Sequence, residues 1–433
     1  MSEENQVPTG YKKTELGEIP EEWEIVKIND CCDVKTGGTP STKNKDYWDG
    51  NIPWMSSGEI NKKFVYSTEK KITQQGLENS NARILPADSV MVALNGQGKT
   101  RGSVAVLKIL STCNQSLACI VPDQKITHYL YLFYNLQSRY SEIRNITGDT
   151  GREGLNLRII KDINVPLPRL PEQHKIASIL SKVDEQIEQT EQIIAKTELL
   201  KKGLMQKLLT KGIGHTKFKK TELGEIPEEW DIFKLGDKNC TKKITQGPNP
   251  NYSLGVPSSN YRILKTKDLY DYGILYENAD KISKEIVDNF KNFILEDGDV
   301  LVAIVGRGSI GKSNIFEAKD TVVYLFTRAL GIIRVNKELL FPLYVHYFLQ
   351  SSATKKVLNN GIAGSTGQEV LQTSYIKYIK IPVPPLPEQQ QIVSILSKVY
   401  SQIQDNQSYL TKLQELKKGL MQDLLTGKVR VCV

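Results

Sequence analysis

Two segments of the chain repeat apolar residues every seven positions. From Pro171 to about Leu209, one seam position holds Leu180, Ile187, Ile194, Lys201 and Leu208. The other holds Ile176, Val183, Thr190, Thr197 and Leu204. The later segment keeps the same register, with Leu396, Ile403, Leu410, Lys417 and Leu424 beside Ile392, Val399, Asn406, Leu413 and Leu420. A seven-residue apolar repeat sustained this long predicts long helices wound on one another. Each segment opens on a stiff proline run, VPLPRLPEQ or IPVPPLPEQ, that places Pro and Glu in the first helical turn. Gly212 and Gly214 supply a stop for the first, and Gly427 for the second. The seams are imperfect at Lys201, Lys417, Thr190, Thr197 and Asn406. Polar seam residues commonly set register at a cost in stability, so Asn406 is expected to face the first helix as a register pin.

Outside these helices the pattern changes to short apolar runs. SVMVAL (89–94) and DVLVAIV (299–305) predict buried strands, while YLYLFYNLQS (129–138) and YVHYFLQSS (344–352) predict a matching pair of helices. A Gly-rich polar loop follows in each stretch, GDTGREGLN (148–156) and GSTGQEVLQ (364–372). Two modules of one mixed α/β (α+β) fold are expected, alike in frame and different in surface residues.

The frame itself is duplicated. Residues 12–23 and 219–230 both read KKTELGEIPEEW; LPEQHKIASILSKV (170–183) returns as LPEQQQIVSILSKV (386–399), and LKKGLMQ (200–206) recurs at 416–422. Helices of about 38 residues are roughly 57 Å long. The simplest arrangement pairs them antiparallel within the chain, which makes their length a ruler; a homodimeric coiled coil is the alternative.

Composition adds little. The chain has 433 residues, enough for two to four domains, with 57 Lys plus Arg against 49 Asp plus Glu. The mild excess of positive charge suits a phosphate-backbone partner without proving one. The polar N-terminus and the lack of a long apolar run lead to an expectation of an intracellular, cytoplasmic protein without a membrane span. Six dispersed cysteines and four histidines form no CxxC or zinc spacing, so no metal site is expected.

The whole chain resembles the specificity subunit of a type I restriction-modification system. The resemblance rests on the paired LGEIPEEW blocks, on TGGTPS (36–41) with YWDGNIPW (47–54), and on the two LPEQ-led helices that end in LKKGLMQ. It implies two pseudo-symmetric target recognition domains, each reading half of a split double-stranded DNA site. The expected divisions are 1–168 (with its conserved segment 11–28) and 214–384 (with 218–235). Spacer helices would occupy 169–213 and 385–433, as an antiparallel coiled coil. It also implies a non-catalytic chain that docks two adenine-N6 methyltransferase subunits and restriction/translocase subunits. S-adenosylmethionine, ATP and Mg²⁺ would serve those partners. The second module has ITQGPNPNY (244–252) in place of the TGGTPS and YWDGNIPW pattern, so its half-site should differ.

Arg or Lys pairs with guanine and Asn or Gln with adenine, while neighbouring cations fix register on phosphates. On the polar loops, base contact is therefore expected from Asn95, Gln97 and Arg152, and from Asn249, Asn251, Arg307 and Gln368. Phosphate contact is expected from Lys43, Lys99, Arg101, Arg262, Lys265 and Lys312. Two motifs compete with this reading. GRGSIGKS (306–313) formally matches a phosphate-binding loop, which would make the chain an ATP-binding enzyme, but the sequence after it reads as turn and strand. NPNY (249–252) faintly resembles an adenine-holding methyltransferase loop and fits a simple turn better. A coiled-coil scaffold with two protein-binding modules is the remaining alternative. Trp23 and Trp230 are expected to anchor strands rather than to stack on bases.

Overall fold

The computed structural model describes residues 8–96, 100–146, 154–252, 260–270, 272–306, 308–319, 321–364 and 369–432. The chain divides into two compact units, Met1–Gln189 with Leu410–Val433, and Thr190–Tyr409. Each unit therefore takes a share of both long helices, Leu170–Lys211 and Leu386–Leu424, and neither helix forms a unit of its own.

In the first unit the duplicated block folds as a hairpin, Tyr11–Thr14 against Gly17–Pro20. It leads into the strand Glu24–Lys27, which pairs with the returning strand Asn164–Leu167. Between them lies a five-stranded sheet in the order Cys32–Thr36, Leu117–Pro122, Ser89–Ala93, Val104–Leu107, Phe64–Val65. The middle three strands are buried along nearly their whole length because helix Tyr129–Ser138 covers one face. A smaller core around Met55, Ile60 and Leu85 covers the other.

The second unit repeats the plan. Hairpin Phe218–Thr221 with Gly224–Pro227 precedes strand Asp231–Lys234, which pairs with Lys380–Val383. Its central sheet has four strands, in the order Thr241–Gln246, Leu330–Val335, Val300–Ala303, Ser313–Ile315. The expected helix at 344–352 is two, Pro342–Gln350 and Ser352–Asn360, broken where Ser351 turns extended and caps the second by accepting from Thr354 N at 3.2 Å.

Within each unit the long helices pack antiparallel. In the first, Ile176, Ala177 and Leu180 share a core with Leu424 and Leu425, and Val183 and Ile187 meet Leu413, Leu410 and Leu420. In the second, Met205, Leu208 and Leu209 share a core with Ile392, Val393 and Leu396. Of the other predicted seam residues, Val399 and Ile403 are buried while Ile194 and Leu204 are half-buried. Glycine ends the first helix, with Gly212 at φ 63° in the left-handed region that L-residues avoid, and Gly427 at φ 71° follows the second.

Asn406 departs from expectation. Its amide donates to Gln402 O of its own helix at 2.8 Å, so it pins nothing across the seam. A polar side chain on a half-buried helix position reaches the carbonyl four residues back more easily than a partner helix. A cross-seam polar contact lies at Lys417, whose ammonium reaches Asp184 at 2.8 and 2.9 Å in the first unit.

Trp23 and Trp230 are buried anchors. The Trp23 indole donates to Glu172 Oε2 at 3.2 Å, and Arg430 donates to the same carboxylate at 2.7 and 3.0 Å. In the second unit Trp230 donates to Glu388 at 3.0 Å, and His215 lies 2.9 Å from that carboxylate. The same acid from the PEQ entry thus ties the hairpin block to the long helix in both units.

Candidate nucleic-acid interface

Strand alternation decides which loops come together. In the first unit Thr36 pairs with Ala118, Leu117 with Ala93, and Val92 with Val104. The end of one strand therefore lies beside the start of the next along a single sheet edge. That edge carries the segment after Thr36, the loop after Ala93 and the turn 114–116, while Leu155 N donates to Leu94 O at 2.9 Å and brings in the segment after 153. In the second unit Gln246 pairs with Gly331, Leu330 with Ala303, and Val302 with Ser313. Its edge carries the segment after Gln246, the loop 304–312 and the turn 327–329; Leu371 N donates to Ile304 O at 2.8 Å and adds the 369–371 segment. Polar loops far apart in sequence thus form one surface in each unit.

The sequence-predicted contacts distribute unevenly on these edges. Lys43 and Asn95 are exposed on the first, and Asn249 and Asn251 on the second. Lys312 is half-buried on its loop. Arg101 is only 8% exposed, and Arg144 donates to its backbone carbonyl at 3.2 Å. Arg262 is half-buried in the strand Tyr261–Leu264, flanked by strands on both sides. Lys265 is already engaged: it forms an ion pair with Asp280 and sits 5.4 Å from the Tyr252 ring centroid. The Asp280 carboxylate raises the Lys265 pKa above the ordinary lysine value. Gln97, Lys99, Arg152, Arg307 and Gln368 lie outside the described residues.

Two exposed side chains were missed, Gln115 on the turn 114–116 and Arg328 on the turn 327–329. Neither turn has a recognisable motif, and only alignment of the two modules strand by strand puts them in register.

The described glycine-rich residues between the paired strands Val300–Ala303 and Ser313–Ile315 form turns of a hairpin. No helix follows it. Ser313 is buried, with its hydroxyl 3.0 Å from His346 Nδ1 and accepting from Gln350 at 2.7 Å, so it is turned away from any bound metal or phosphate. The loop lacks the helix N-terminus on which a phosphate-binding loop depends. Among the described residues no three His, Cys, Asp or Glu side chains are grouped to hold a metal. Burial pushes the Cys113 thiol up to about 12 and Cys119 and Cys240 to about 11, which leaves them unreactive. No described helix is long and apolar enough to cross a membrane.

The family described as "Type I restriction modification DNA specificity domain" matches twice, over residues 20–199 and 227–417. The MjaVIII type I restriction enzyme specificity subunit of Methanocaldococcus jannaschii is 31% identical over 427 residues, which cover 95% of this chain and 94% of that protein. The MjaIX specificity subunit of the same organism is 26% identical over 436 residues, 98% of this chain and 97% of that one. Among solved structures, the type I restriction-modification system S subunit from M. genitalium shares the fold. Its TM-score is 0.60 at 15% identity, covering 93% of this chain and 96% of that one.

Proposed function

The chain belongs to the type I restriction-modification DNA specificity family, and we propose that each of its two loop-bearing sheet edges reads one half of a split DNA site. It is a non-catalytic specificity subunit, working with DNA and with the other subunits of such a system. The observation that carries the half-site reading is the contrast between the two modules. Their frame blocks are identical over residues 12–23 and 219–230, while the polar loops brought to corresponding edges differ. A frame held constant under changing loops is what two readers with different targets require.

Further elements of the proposal come from the family's general plan. The long helices dock two adenine methyltransferase subunits, with restriction and translocase subunits joining them. S-adenosylmethionine, ATP and Mg²⁺ act in those partners, inside a prokaryotic cytoplasm.

The test is long-read mapping of N6-methyladenine in the native host with and without this gene. Loss of methylation at one split, asymmetric motif is the expected result; an unchanged methylome in a host whose methyltransferase is active would refute it. The helices' role as a ruler has its own measurement. Seven residues added to each long helix keep the apolar register and add about 10 Å, or roughly 3 bp of duplex. The gap between half-sites should grow by that amount with its letters unchanged. Changed letters would sink the ruler.

A further inference from the structure

We propose that Gln115 and Arg328 are corresponding specificity-determining residues, Gln115 reading an A·T pair and Arg328 a guanine. They occupy the same place in the two units. Each is the middle residue of a three-residue turn that enters the second strand of the central sheet. The turn begins with an amide donated to the end of a neighbouring strand, Asn114 N to Met55 O at 3.1 Å and Thr327 N to Leu264 O at 3.0 Å. It closes on itself through Leu117 N to Asn114 O at 3.3 Å and Leu330 N to Thr327 O at 2.9 Å. In both units the last side chain of the outer strand reaches carbonyls of the turn: Thr36 Oγ1 shares its one hydrogen between Gln115 O at 3.3 Å and Leu117 O at 3.0 Å, and Gln246 Nε2 donates to Arg328 O at 2.7 Å. The next residue is a glycine pressed against the strand that feeds the turn. A Cβ on Gly37 would stand 1.9 Å from Cys113 O, and one on Gly247 2.4 Å from Thr327 O. Each turn is thus fixed from three sides, a rigid mount for one outward side chain.

The two side chains have different recognition chemistry. Arg328 is exposed, and its guanidinium has no partner among the described residues. Its planar fork of donors matches O6 and N7 of guanine. Gln115 is also exposed; Thr39 Oγ1 donates to its Oε1 at 2.6 Å, which orients the amide and leaves its NH₂ and one lone pair for a ligand. One donor beside one acceptor matches N7 and the N6 amino group of adenine. The difference between the units argues for base contact. A phosphate clamp belonging to the shared frame would be cationic in both, whereas a base reader must change with the base it reads.

Granted the reading above that each edge meets DNA, the test exchanges the two residue types in the full chain expressed with its own partner subunits. Arg328→Gln and Gln115→Arg are made separately, and N6-methyladenine is mapped by long reads. Arg328→Gln should change one position of one half-site, abolishing a roughly ten- to hundred-fold preference for guanine there. Gln115→Arg should change one position of the other half-site. Retention of the wild-type motif by either variant, at full or uniformly lowered occupancy, removes that residue from the role. If the wild-type protein supports no split motif, the half-site reading itself fails; a split motif that both exchanges leave intact overturns only the assignment of this pair.

Discussion

Replacing Lys417 with alanine is expected to destabilise the first unit by about 3–5 kcal/mol, the usual cost of removing one partner from a buried ion pair. Lys417 is 9% and Asp184 8% exposed. The ammonium spends its hydrogens on Asp184 and on Gln137 Oε1 at 3.0 Å, and Tyr134 OH donates to Asp184 Oδ2 at 2.9 Å. Burial pushes the Lys417 pKa down by more than Asp184 lifts it, so the charged form is held at a cost. Alanine would strand the Asp184 carboxylate in the seam with only a phenol for company. The double variant Asp184→Leu with Lys417→Met removes both charges at similar volume and should recover most of the loss. Hydrogen exchange within Tyr129–Ser138 and Ser89–Ala93, read beside urea unfolding, measures the effect. A loss below about 1 kcal/mol for Lys417→Ala would show that the pair contributes nothing beyond a surface contact.

The duplicated lysine in the second unit shows why sequence alone does not rank such positions. Lys201 also occupies a seam position of the same LKKGLMQ block, yet the residue corresponding to Asp184 is Tyr400. Lys201 pairs with Glu198 of its own helix at 2.5 Å and lies 4.8 Å from the Tyr400 ring centroid. A half-exposed i,i+3 pair with a cation–π contact is worth about 1 kcal/mol. Both lysines look alike as interruptions of a heptad; one meets a buried acid across the seam, the other a partly exposed acid of its own helix.

Much of the frame was legible because it depends on period and repetition. The seven-residue apolar spacing located both long helices, and the seam residues Ile176, Leu180, Ile392 and Leu396 are fully buried or nearly so. Identical blocks folded as identical hairpins. The edge loops were legible only as polar loops, since composition does not say which way a side chain faces. Arg101 carries the charge a phosphate contact needs and is buried; Lys265 carries it and is consumed by Asp280. Gln115 and Arg328 belong to no motif, and their equivalence exists only in hydrogen-bonded register across the sheet. Asn406 shows the same limit from the other side: a polar seam residue has its own helix carbonyl as a competing acceptor.

Lowering the pH from 6.5 to 4.5 is expected to cost the second unit about 2–3 kcal/mol through His346 alone. His346 is 6% exposed, and burial, with a smaller push from the Lys355 charge, lowers its pKa to about 4. The hydrogen bonds agree. Gln350 Nε2 donates to Ser313 Oγ, which leaves the serine hydrogen for a neutral His346 ring to accept at Nδ1, 3.0 Å away. The unfolded chain takes up that proton near 6.5, while the folded chain refuses it until about 4. Stability is therefore full above 6.5, falls by about 1.4 kcal/mol for each pH unit within the window, and suffers no further loss from this group below it. His346→Gln, which offers Ser313 a non-titrating acceptor, should flatten that slope. The difference between the two proteins in urea unfolding, with hydrogen exchange of Val300–Ala303 and Pro342–Gln350 to localise it, isolates the histidine from carboxylates that titrate lower. Parallel pH profiles for wild type and variant would mean that His346 is protonated inside the fold, and that the Ser313–Gln350 pair rearranges to admit it.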